Sequence, residues 1–302
     1  MAILIDGNTT VMVQGITGRE GTARTRFMLD YGTKVICGIT PGKGGGEVWG
    51  VPVYNTVKDA FKIHGKIQAS VTFVPGPQVK DAAIEAIEAG VKLILVPAER
   101  VPLHDSLEMI ALARKKGARI VGPGSLGLLS PDKAAMGWLG GSGEFAREIF
   151  KPGPVGVMSR SGGQTSTVVW SLMKAGIGTS TAIHVGAEPV TGSSFAELLP
   201  LWEQDEETKA VVMFGEIGTV AEEEAAEVIK EGGFTKPLVA YISGRTLPEG
   251  MRFSHASAII EGGRGTAESK IKALERVGAR VVNTPQEIIT TIVTILKGGA
   301  QQ

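Results

Sequence analysis

The sequence predicts an α/β protein with two doubly wound parallel sheets, one in each half of the chain. Short apolar runs recur through both halves and are nearly continuous rather than alternating, which is typical of parallel strands buried on both faces. Amphipathic windows with helical periodicity separate these runs, as in consecutive β-α-β units. The chain has 302 residues, which is about the length of two domains of roughly 150 residues each.

The predicted elements follow this rhythm in both halves. In the first half, the strands are residues 10–14, 34–39, 70–74, 92–96 and 119–121, and the helices are residues 80–89 and 104–116. In the second half, the strands are residues 155–158, 179–185, 210–214 and 237–242, and the helices are residues 165–175, 194–204, 220–230, 266–277 and 285–297. Residues 131–154 are rich in Gly and Pro and are predicted to be a linker. The expected domains are therefore residues 1–130 and 155–302.

Composition excludes several classes of protein. Lys plus Arg and Asp plus Glu each total 31, so no broad basic field is available for nucleic acid or an anionic membrane surface. No apolar run approaches the roughly 18–20 residues that a membrane helix needs, and the first residues lack the regions of a signal peptide. Cys37 is the single cysteine, which allows neither an internal disulfide nor a metal cluster. We expect a cytoplasmic protein in a reducing compartment.

A glycine-rich loop follows the first predicted strand. Its spacing, Gly15-x-x-Gly18-x-x-Gly21, lets backbone N–H groups approach a diphosphate at a helix N-terminus. The dinucleotide pattern G-x-G-x-x-G is absent, and Lys43 stands where an NAD site needs an acid after the second strand. These features favour a ligand with an extra phosphate over NAD, and a plain glycine-rich turn is the alternative. No Walker A motif is present.

His255 is the candidate nucleophile among four histidines. It lies in the small-residue loop 250–266, after a predicted strand and before a predicted helix. A neutral imidazole in such a loop is nucleophilic near neutral pH and can be phosphorylated on a ring nitrogen. His64 and His104 are expected at the surface, and His184 ends a strand with weaker support for a role. The alternative for His255 is a loop histidine without chemistry.

Two further groups in the second half fit such a histidine. Glu216 follows a predicted strand and is expected to orient the imidazole by a hydrogen bond; its alternative is a solvated strand-end acid. A phosphate cradle is expected between the predicted strand 155–158 and the predicted helix 165–175, because N–H groups at a helix N-terminus bind anions. The alternative for this segment is a helix cap. The cradle residues are Ser159, Arg160, Ser161, Gly162 and Gly163.

Six segments together resemble the alpha subunits of succinate–CoA ligases, within the nucleoside-diphosphate-forming acyl-CoA ligase superfamily that includes ATP-citrate lyase. The resemblance covers essentially the whole chain, in order. The segments are QGITGREGT at residues 14–22, YGTKVICGITPGKGG at 31–45, VPVYNTV at 51–57, SRSG at 159–162, GEIG with EEEAA at 215–218 and 222–226, and HASAIIEGGRGTA at 255–267.

The resemblance implies a Rossmann-like CoA-binding domain followed by a flavodoxin-like domain that bears a phosphohistidine. It implies His255 as the phosphorylated residue, Glu216 as its partner, the helix from Ser161 as the phosphate holder and Ser166 as a contact to a small carboxylic acid. It further implies a beta subunit with an ATP-grasp fold that binds ATP or GTP with Mg²⁺. The implied CoA contacts are Thr17, Gly18, Arg19, Glu20, Lys43 and the backbone of Pro97, Ala98 and Glu99.

The sequence departs from the family pattern around the region expected to bind the acid. Residues 122–127 read GPGSLG, residues 184–189 read HVGAEP, and residues 159–167 read SRSGGQTST without the family's Tyr-Glu pair. The SRSGG form is more similar to ATP-citrate lyase. A citrate-type or other dicarboxylate–CoA ligase subunit is therefore the first alternative to succinate. A CoA-binding paralogue without catalysis is the second.

Overall fold

A computed structural model describes residues 2–247, 255, 257–260 and 265–298. The chain divides into two compact units, and each is an α/β unit as the sequence predicts. The N-terminal unit comprises Leu4–Glu148 with Val190–Ser193, and the C-terminal unit comprises Met1–Ile3, Ile149–Pro189 and Ser194–Gln302. No helix in the described ranges is long and apolar enough to cross a membrane.

The N-terminal unit is built on a sheet whose buried strands are mostly parallel. Its strands are β1 (Thr10–Gln14), β2 (Lys34–Ile39), β3 (Glu47–Val48), β4 (Val51–Tyr54), β5 (Ala69–Thr72), β6 (Leu93–Leu95) and β7 (Arg119–Val121). Its helices include α1 (Arg19–Tyr31), α2 (Val57–His64), α3 (Val79–Ala89) and α4 (Leu103–Lys115). The strand order is β3-β4-β2-β1-β5-β6-β7. The chain therefore leaves β1 in one direction to β2 and in the other to β5, which places a crevice at the carboxyl end of β1.

The core of this unit is apolar on both faces of the sheet. Met12, Cys37 and Ile94 are fully buried and belong to one cluster. Burial raises the pKa of the Cys37 thiol to about 12. The thiolate is the reactive form of cysteine, so Cys37 packs as a small apolar side chain and is not a nucleophile at neutral pH.

The segment predicted as a linker differs from the prediction, because it contains regular structure. Strand β9 (Ala134–Gly137) and helix α5 (Gly143–Ile149) lie within residues 131–154, and β9 forms an antiparallel hairpin with β8 (Gly127–Ser130), which precedes this segment. Every residue of both strands is buried. The glycines suggested irregular backbone, but Gly137 serves close strand packing. It has φ +92°, and a Cβ there would clash with the carbonyl of Leu126.

The C-terminal unit contains five parallel strands in the order β14-β13-β12-β10-β11. The strands are β10 (Pro152–Ser159), β11 (Thr179–His184), β12 (Ala210–Glu216), β13 (Leu238–Ser243) and β14 (Arg280–Val282). The helices are α6 (Gly162–Lys174), α7 (Phe195–Gln204), α8 (Ala221–Lys230), α9 (Ala267–Arg276) and α10 (Pro285–Gly298). Because β11 lies on one side of β10 and β12 on the other, the chain leaves β10 in one direction and returns to the sheet on its opposite side. The carboxyl ends of these three strands thus meet at the edge where such sheets bind ligands.

Candidate functional site

His255 and Glu216 meet at the carboxyl edge of the C-terminal sheet. Glu216 is the last residue of β12, and its Oε2 lies 2.7 Å from Nδ1 of His255. The His255 side chain is 22% exposed and the Glu216 side chain 7%. A carboxylate at this distance accepts a hydrogen bond from Nδ1–H, so the free lone pair of the ring lies on Nε2. The imidazole is thereby held in the tautomer whose outer nitrogen is nucleophilic.

The other oxygen of Glu216 receives two donors. The Ser257 hydroxyl lies 2.9 Å from Oε1, and Nε of Arg160 lies 3.5 Å from the same atom. The Ser257 hydroxyl also lies 3.0 Å from the carbonyl of Ala187. The carboxylate is therefore fixed from two sides, by a cation and a hydroxyl. The remaining residues of the predicted 250–266 loop at 250–254, 256 and 261–264 lie outside the described part of the chain.

Arg160 belongs to the predicted phosphate cradle, in which backbone N–H groups and hydroxyls are the expected contacts. Its guanidinium is buried, with a side chain 3% exposed. Nη2 donates to the carbonyl of Glu188 at 2.9 Å, while Nε faces Glu216. A buried charge requires a partner of opposite sign, and Glu216 meets that need. The side chain of Arg160 thus supports the carboxylate beside His255, and only its backbone belongs to the strand-to-helix turn.

The strand-to-helix turn has the geometry of an anion cradle. Helix α6 begins at Gly162, and Ser161 at its N-cap makes no side-chain capping bond to any described residue. The Ser159 hydroxyl instead donates to the Ser161 carbonyl at 2.9 Å and accepts from the Ser161 amide at 2.9 Å. The first N–H groups of α6, including those of Gly162 and Gly163, lack this cap, and the helix dipole makes them attractive to an anion. Ser166 lies half-buried within α6.

His184 ends β11 beside this turn. Its Nε2 lies 3.0 Å from the carbonyl of Arg160, so this nitrogen carries the hydrogen and donates. Burial lowers the pKa of His184 from 6.5 to about 4, and the Arg160 charge adds to the effect. The ring is therefore neutral at pH 7. It acts as a structural donor that joins the end of β11 to the turn after β10.

We expect His184 to make the protein less stable as the pH falls. The unfolded chain takes up a proton on this ring near pH 6.5 and the folded chain only near pH 4, so stability present above pH 6.5 is lost between these values. The expected loss is about 3 kcal/mol. Urea unfolding at pH 7 and pH 4.5 measures it. In His184→Gln, whose amide also donates, the decrease should be smaller by most of this amount. An equal decrease in both proteins would contradict the interpretation.

The remaining two histidines lie in the N-terminal unit. His64 ends α2 and lies 2.9 Å from the Tyr54 hydroxyl through its Nε2. His104 is in the first turn of α4, is 81% exposed and pairs with Glu108. His104 lies at the surface as expected, whereas His64 is half-buried because its ring packs against that of Tyr54.

The N-terminal glycine loop borders a cavity of about 450 Å³. Gly18 is the N-cap of α1 and has no side chain that could cap the helix, so the first N–H groups of α1 have no cap from this residue. The Thr17 hydroxyl lies 3.2 Å from that of Thr40, which joins this loop to the turn that carries Lys43. Of the CoA contacts expected from the sequence, Gly18, Arg19, Glu20, Pro97 and Ala98 line the cavity, and Thr17, Lys43 and Glu99 do not.

Trp138 also lines this cavity, and the sequence analysis did not single it out. It follows β9, and its ring packs 6.0 Å from that of Phe73. The guanidinium of Arg24 lies 4.5 Å from the ring centroid. The only local signal was an aromatic residue within a glycine-rich stretch, which by itself predicts nothing. The hairpin β8–β9 brings Trp138 to the cavity at the glycine-rich loop, and this placement is a tertiary effect.

Comparison with known proteins matches both units to families. Residues 6–100 match the model of the CoA binding domain, and residues 158–280 match that of CoA-ligase. The chain is 50% identical to the alpha 2 subunit of an ADP-forming succinate–CoA ligase from Archaeoglobus fulgidus, over 98% of this chain and 100% of that subunit. This chain belongs to the succinate–CoA ligase alpha-subunit family. The resemblance seen in the sequence is confirmed, and the chain is a subunit of a CoA ligase, an enzyme of the acid–thiol class.

Other members of this family differ in their acid. An alpha subunit of ADP-forming succinate–CoA ligase from Staphylococcus aureus is 46% identical to this chain, over 98% of it and 96% of that subunit. A subunit of an ADP-forming sulfoacetate–CoA ligase from an Acholeplasma species is 49% identical, over 95% of this chain and 96% of that protein. The overall identity therefore does not separate succinate from sulfoacetate.

A solved structure shows the same fold in a longer chain. The ATP citrate lyase from Methanothrix soehngenii, in complex with citrate and coenzyme A, superimposes with a TM-score of 0.87 at 25% identity. The match covers 97% of this chain and 51% of that one. The chain thus spans about half the length of that lyase.

Proposed function

We propose that this chain is the alpha subunit of an NDP-forming carboxylate–CoA ligase that works through a phosphohistidine at His255. The observation that carries the proposal is the 2.7 Å contact between Nδ1 of His255 and Glu216. It leaves Nε2 as the nucleophile, at the same sheet edge as the uncapped N-terminus of α6. In this proposal residues 1–130 form the CoA-binding domain and residues 155–302 the ligase domain.

The proposed reaction has three balanced steps. Nε2 of His255 attacks the γ-phosphorus of the nucleotide, and the nucleoside diphosphate leaves. A carboxylate oxygen of the acid then takes the phosphoryl group from Nε2, which restores the imidazole and yields an acyl phosphate. The CoA thiol adds to the acyl carbonyl, phosphate leaves, and the thiol proton is released. Phosphorylation makes the reaction feasible because phosphate is a far better leaving group than hydroxide.

The residues around His255 divide these tasks. The Glu216 carboxylate holds Nδ1–H and stabilises positive charge on the ring while it carries the phosphoryl group. The first amides of α6 bind the phosphoryl oxygens, with Ser159, Ser161, Gly162 and Gly163 around them. We further propose that Ser166 contacts the acid.

The nucleotide is proposed to bind to a partner. The sequence contains no Walker A motif. We therefore place ATP or GTP, with its Mg²⁺, on a beta subunit of ATP-grasp fold. This agrees with the names of the relatives, which are alpha subunits. CoA is assigned to the cavity at Gly18, where α1 presents its N-terminus to a diphosphate and Arg19 supplies positive charge. Lys43, in the turn joined to this loop through Thr40, is proposed as a further contact to CoA from outside the cavity lining.

The acid is proposed to be small and to carry a second anionic group. Succinate and sulfoacetate, named for relatives at 50% and 49% identity, share a carboxylate and a second acid group. Citrate is the alternative, favoured by the SRSGG form of the turn and by the likeness to ATP citrate lyase. Succinate is the acid that we place first.

Two measurements on the complex with the beta subunit test the proposal. Incubation with γ-labelled ATP should label this chain with a bond that acid breaks and alkali spares, as a phosphoramidate requires. Adding CoA together with succinate, sulfoacetate or citrate should then discharge the label and identify the acid. An acid-stable label would contradict the phosphohistidine. A label that survives the addition of CoA with each of these carboxylates would favour a chain that binds CoA without completing the reaction.

We expect Trp138 to report CoA binding. Because its ring lines the cavity with Gly18 and Pro97, CoA titration should change tryptophan fluorescence. Trp138→Phe should abolish that change, and Trp138→Ala, which removes the aromatic ring, should weaken CoA binding by about fivefold or more, since an aromatic contact of this kind contributes about 1 kcal/mol or more. Trp170→Phe, on the exposed side of α6 in the other unit, is the control. A fluorescence change that survives Trp138→Phe would place CoA elsewhere.

A further inference from the structure

Lys270 is the most deeply buried cation that the mechanism leaves unused. Its side chain, on α9, is 0% exposed. Nζ donates to the Glu222 carboxylate, to Oε2 of Glu223 at 3.0 Å and to the carbonyl of Thr219 at 3.2 Å. These three acceptors match the three donors of an ammonium group. The cluster is therefore a completed polar network inside the C-terminal unit.

Glu222 links this network to Glu216. While Oε2 of Glu222 faces Lys270, its Oε1 accepts the backbone N–H of Glu216 at 3.0 Å. The carboxylate approaches so closely that a Cβ on Gly215 would clash with Oε1. The backbone that carries the Glu216 side chain is thus held by one oxygen of a buried carboxylate, whose other oxygen is held by Lys270.

The network also joins the segment that follows Glu216 to the helix that follows the loop of His255. Glu222 and Thr219 follow Glu216 along the chain, whereas Lys270 is on the helix that follows the histidine loop. A backbone bond from Gly218 to the carbonyl of Gly265, at 2.8 Å, runs beside it. Lys270 therefore connects the segment after Glu216 to the segment after His255. The positions of these two segments determine the 2.7 Å contact between Glu216 and His255.

We propose that Lys270 and Glu222 form a positioning pair, which aligns the Glu216 carboxylate with Nδ1 of His255 during phosphoryl transfer. The inference rests on the proposed phosphohistidine. Since both side chains are excluded from solvent, neither touches a substrate, and their effect passes through the Glu216 backbone. Apolar residues of similar size stabilise a fold as well as a buried ion pair does or better. Folding stability alone therefore gives no reason for charges at Lys270 and Glu222. Alignment of the Glu216 carboxylate with His255 does give one.

Single-turnover labelling of the complex with γ-labelled ATP separates alignment from stability. The amplitude counts the molecules that are folded and competent, and the rate constant reports the geometry at His255. We expect Lys270→Met to lower the rate constant at least tenfold. The double variant Lys270→Met with Glu222→Met removes both charges and should recover thermal stability and full amplitude, but the rate constant should stay at least tenfold low. A double variant that labels at the wild-type rate would overturn the proposal.

Two further variants make the test independent of folding losses. Glu222→Gln keeps an oxygen that accepts the Glu216 N–H, so its rate constant should lie closer to wild type than that of Glu222→Leu. Equal rates in these two variants would also overturn the proposal. Lys272→Met on the same helix removes an exposed lysine paired with Glu268 and should change nothing. Absence of label on the wild-type chain would instead contradict the phosphohistidine itself, which distinguishes the two failures.

Discussion

His255→Ala should abolish acid-labile labelling of this chain and lower ligase turnover at least a thousandfold. The expected loss is this large because the phosphoryl group must bond to Nε2, and no neighbouring side chain replaces a nucleophile that is lost. CoA binding should be unchanged, since the cavity at Gly18 belongs to the N-terminal unit. Labelling with γ-labelled ATP, turnover and CoA titration together measure this outcome.

The control for this variant is His104→Ala. His104 is 81% exposed on α4 and lies in the other unit, so its removal should leave labelling and turnover within about twofold of the wild type. If labelling survived in His255→Ala, another residue would be the phosphoryl acceptor. If it were lost in both variants, the effect would not be specific to the 2.7 Å contact.

Glu216→Gln should lower the rate of His255 labelling by roughly 100-fold or more. The change keeps the size of the side chain but removes the charge that holds the Nδ1 proton. An amide can present its NH₂ to Nδ1, and the ring then carries its proton on Nε2, where no lone pair remains for attack. The corresponding Asp-to-Asn change at a carboxylate that orients a catalytic histidine costs about 10⁴ in rate, and loss of a carboxylate partner of a metal-bound histidine costs about 10- to 100-fold. Single-turnover labelling measures the rate directly.

Stability should also fall in Glu216→Gln, because Arg160 is buried beside this carboxylate. A buried cation without its anion costs about 3 kcal/mol or more, which urea unfolding would detect. Glu224→Gln, an exposed acid on α8, is the matched control and should leave both quantities unchanged. A wild-type labelling rate in Glu216→Gln would show that the carboxylate does not orient the histidine.

Much of the candidate site follows from local pattern. Glu216 and the turn at 159–163 were expected because each follows an apolar run, and the carboxyl ends of parallel strands meet at one edge. His255 was expected from its loop of small residues. These features depend on strand periodicity and backbone freedom, which neighbours in the sequence specify, so they can be recognised before any tertiary contact is known.

Other features had no local signal. Strand β9, which pairs with β8, lies within the predicted linker, and the two-strand ribbon β3–β4 was not predicted. Such short strands are stabilised by pairing rather than by their own propensity. Trp138 joins the cavity only through the hairpin β8–β9. The contact between the Arg160 side chain and Glu216 also lacked a local signal, because it follows from burial of the guanidinium, which requires an anion.

By itself the sequence determined the two α/β units, the candidate phosphate loops and the identity of the candidate nucleophile, since strand burial and turn chemistry depend on residues close together along the chain. Only the tertiary structure decided which nitrogen of His255 meets Glu216, where the Arg160 charge lies and that Lys270 reaches Glu222. Those pairings join residues 39 to 56 positions apart. Their energies depend on burial and on distances of a few ångströms, which exist only once the sheet has formed.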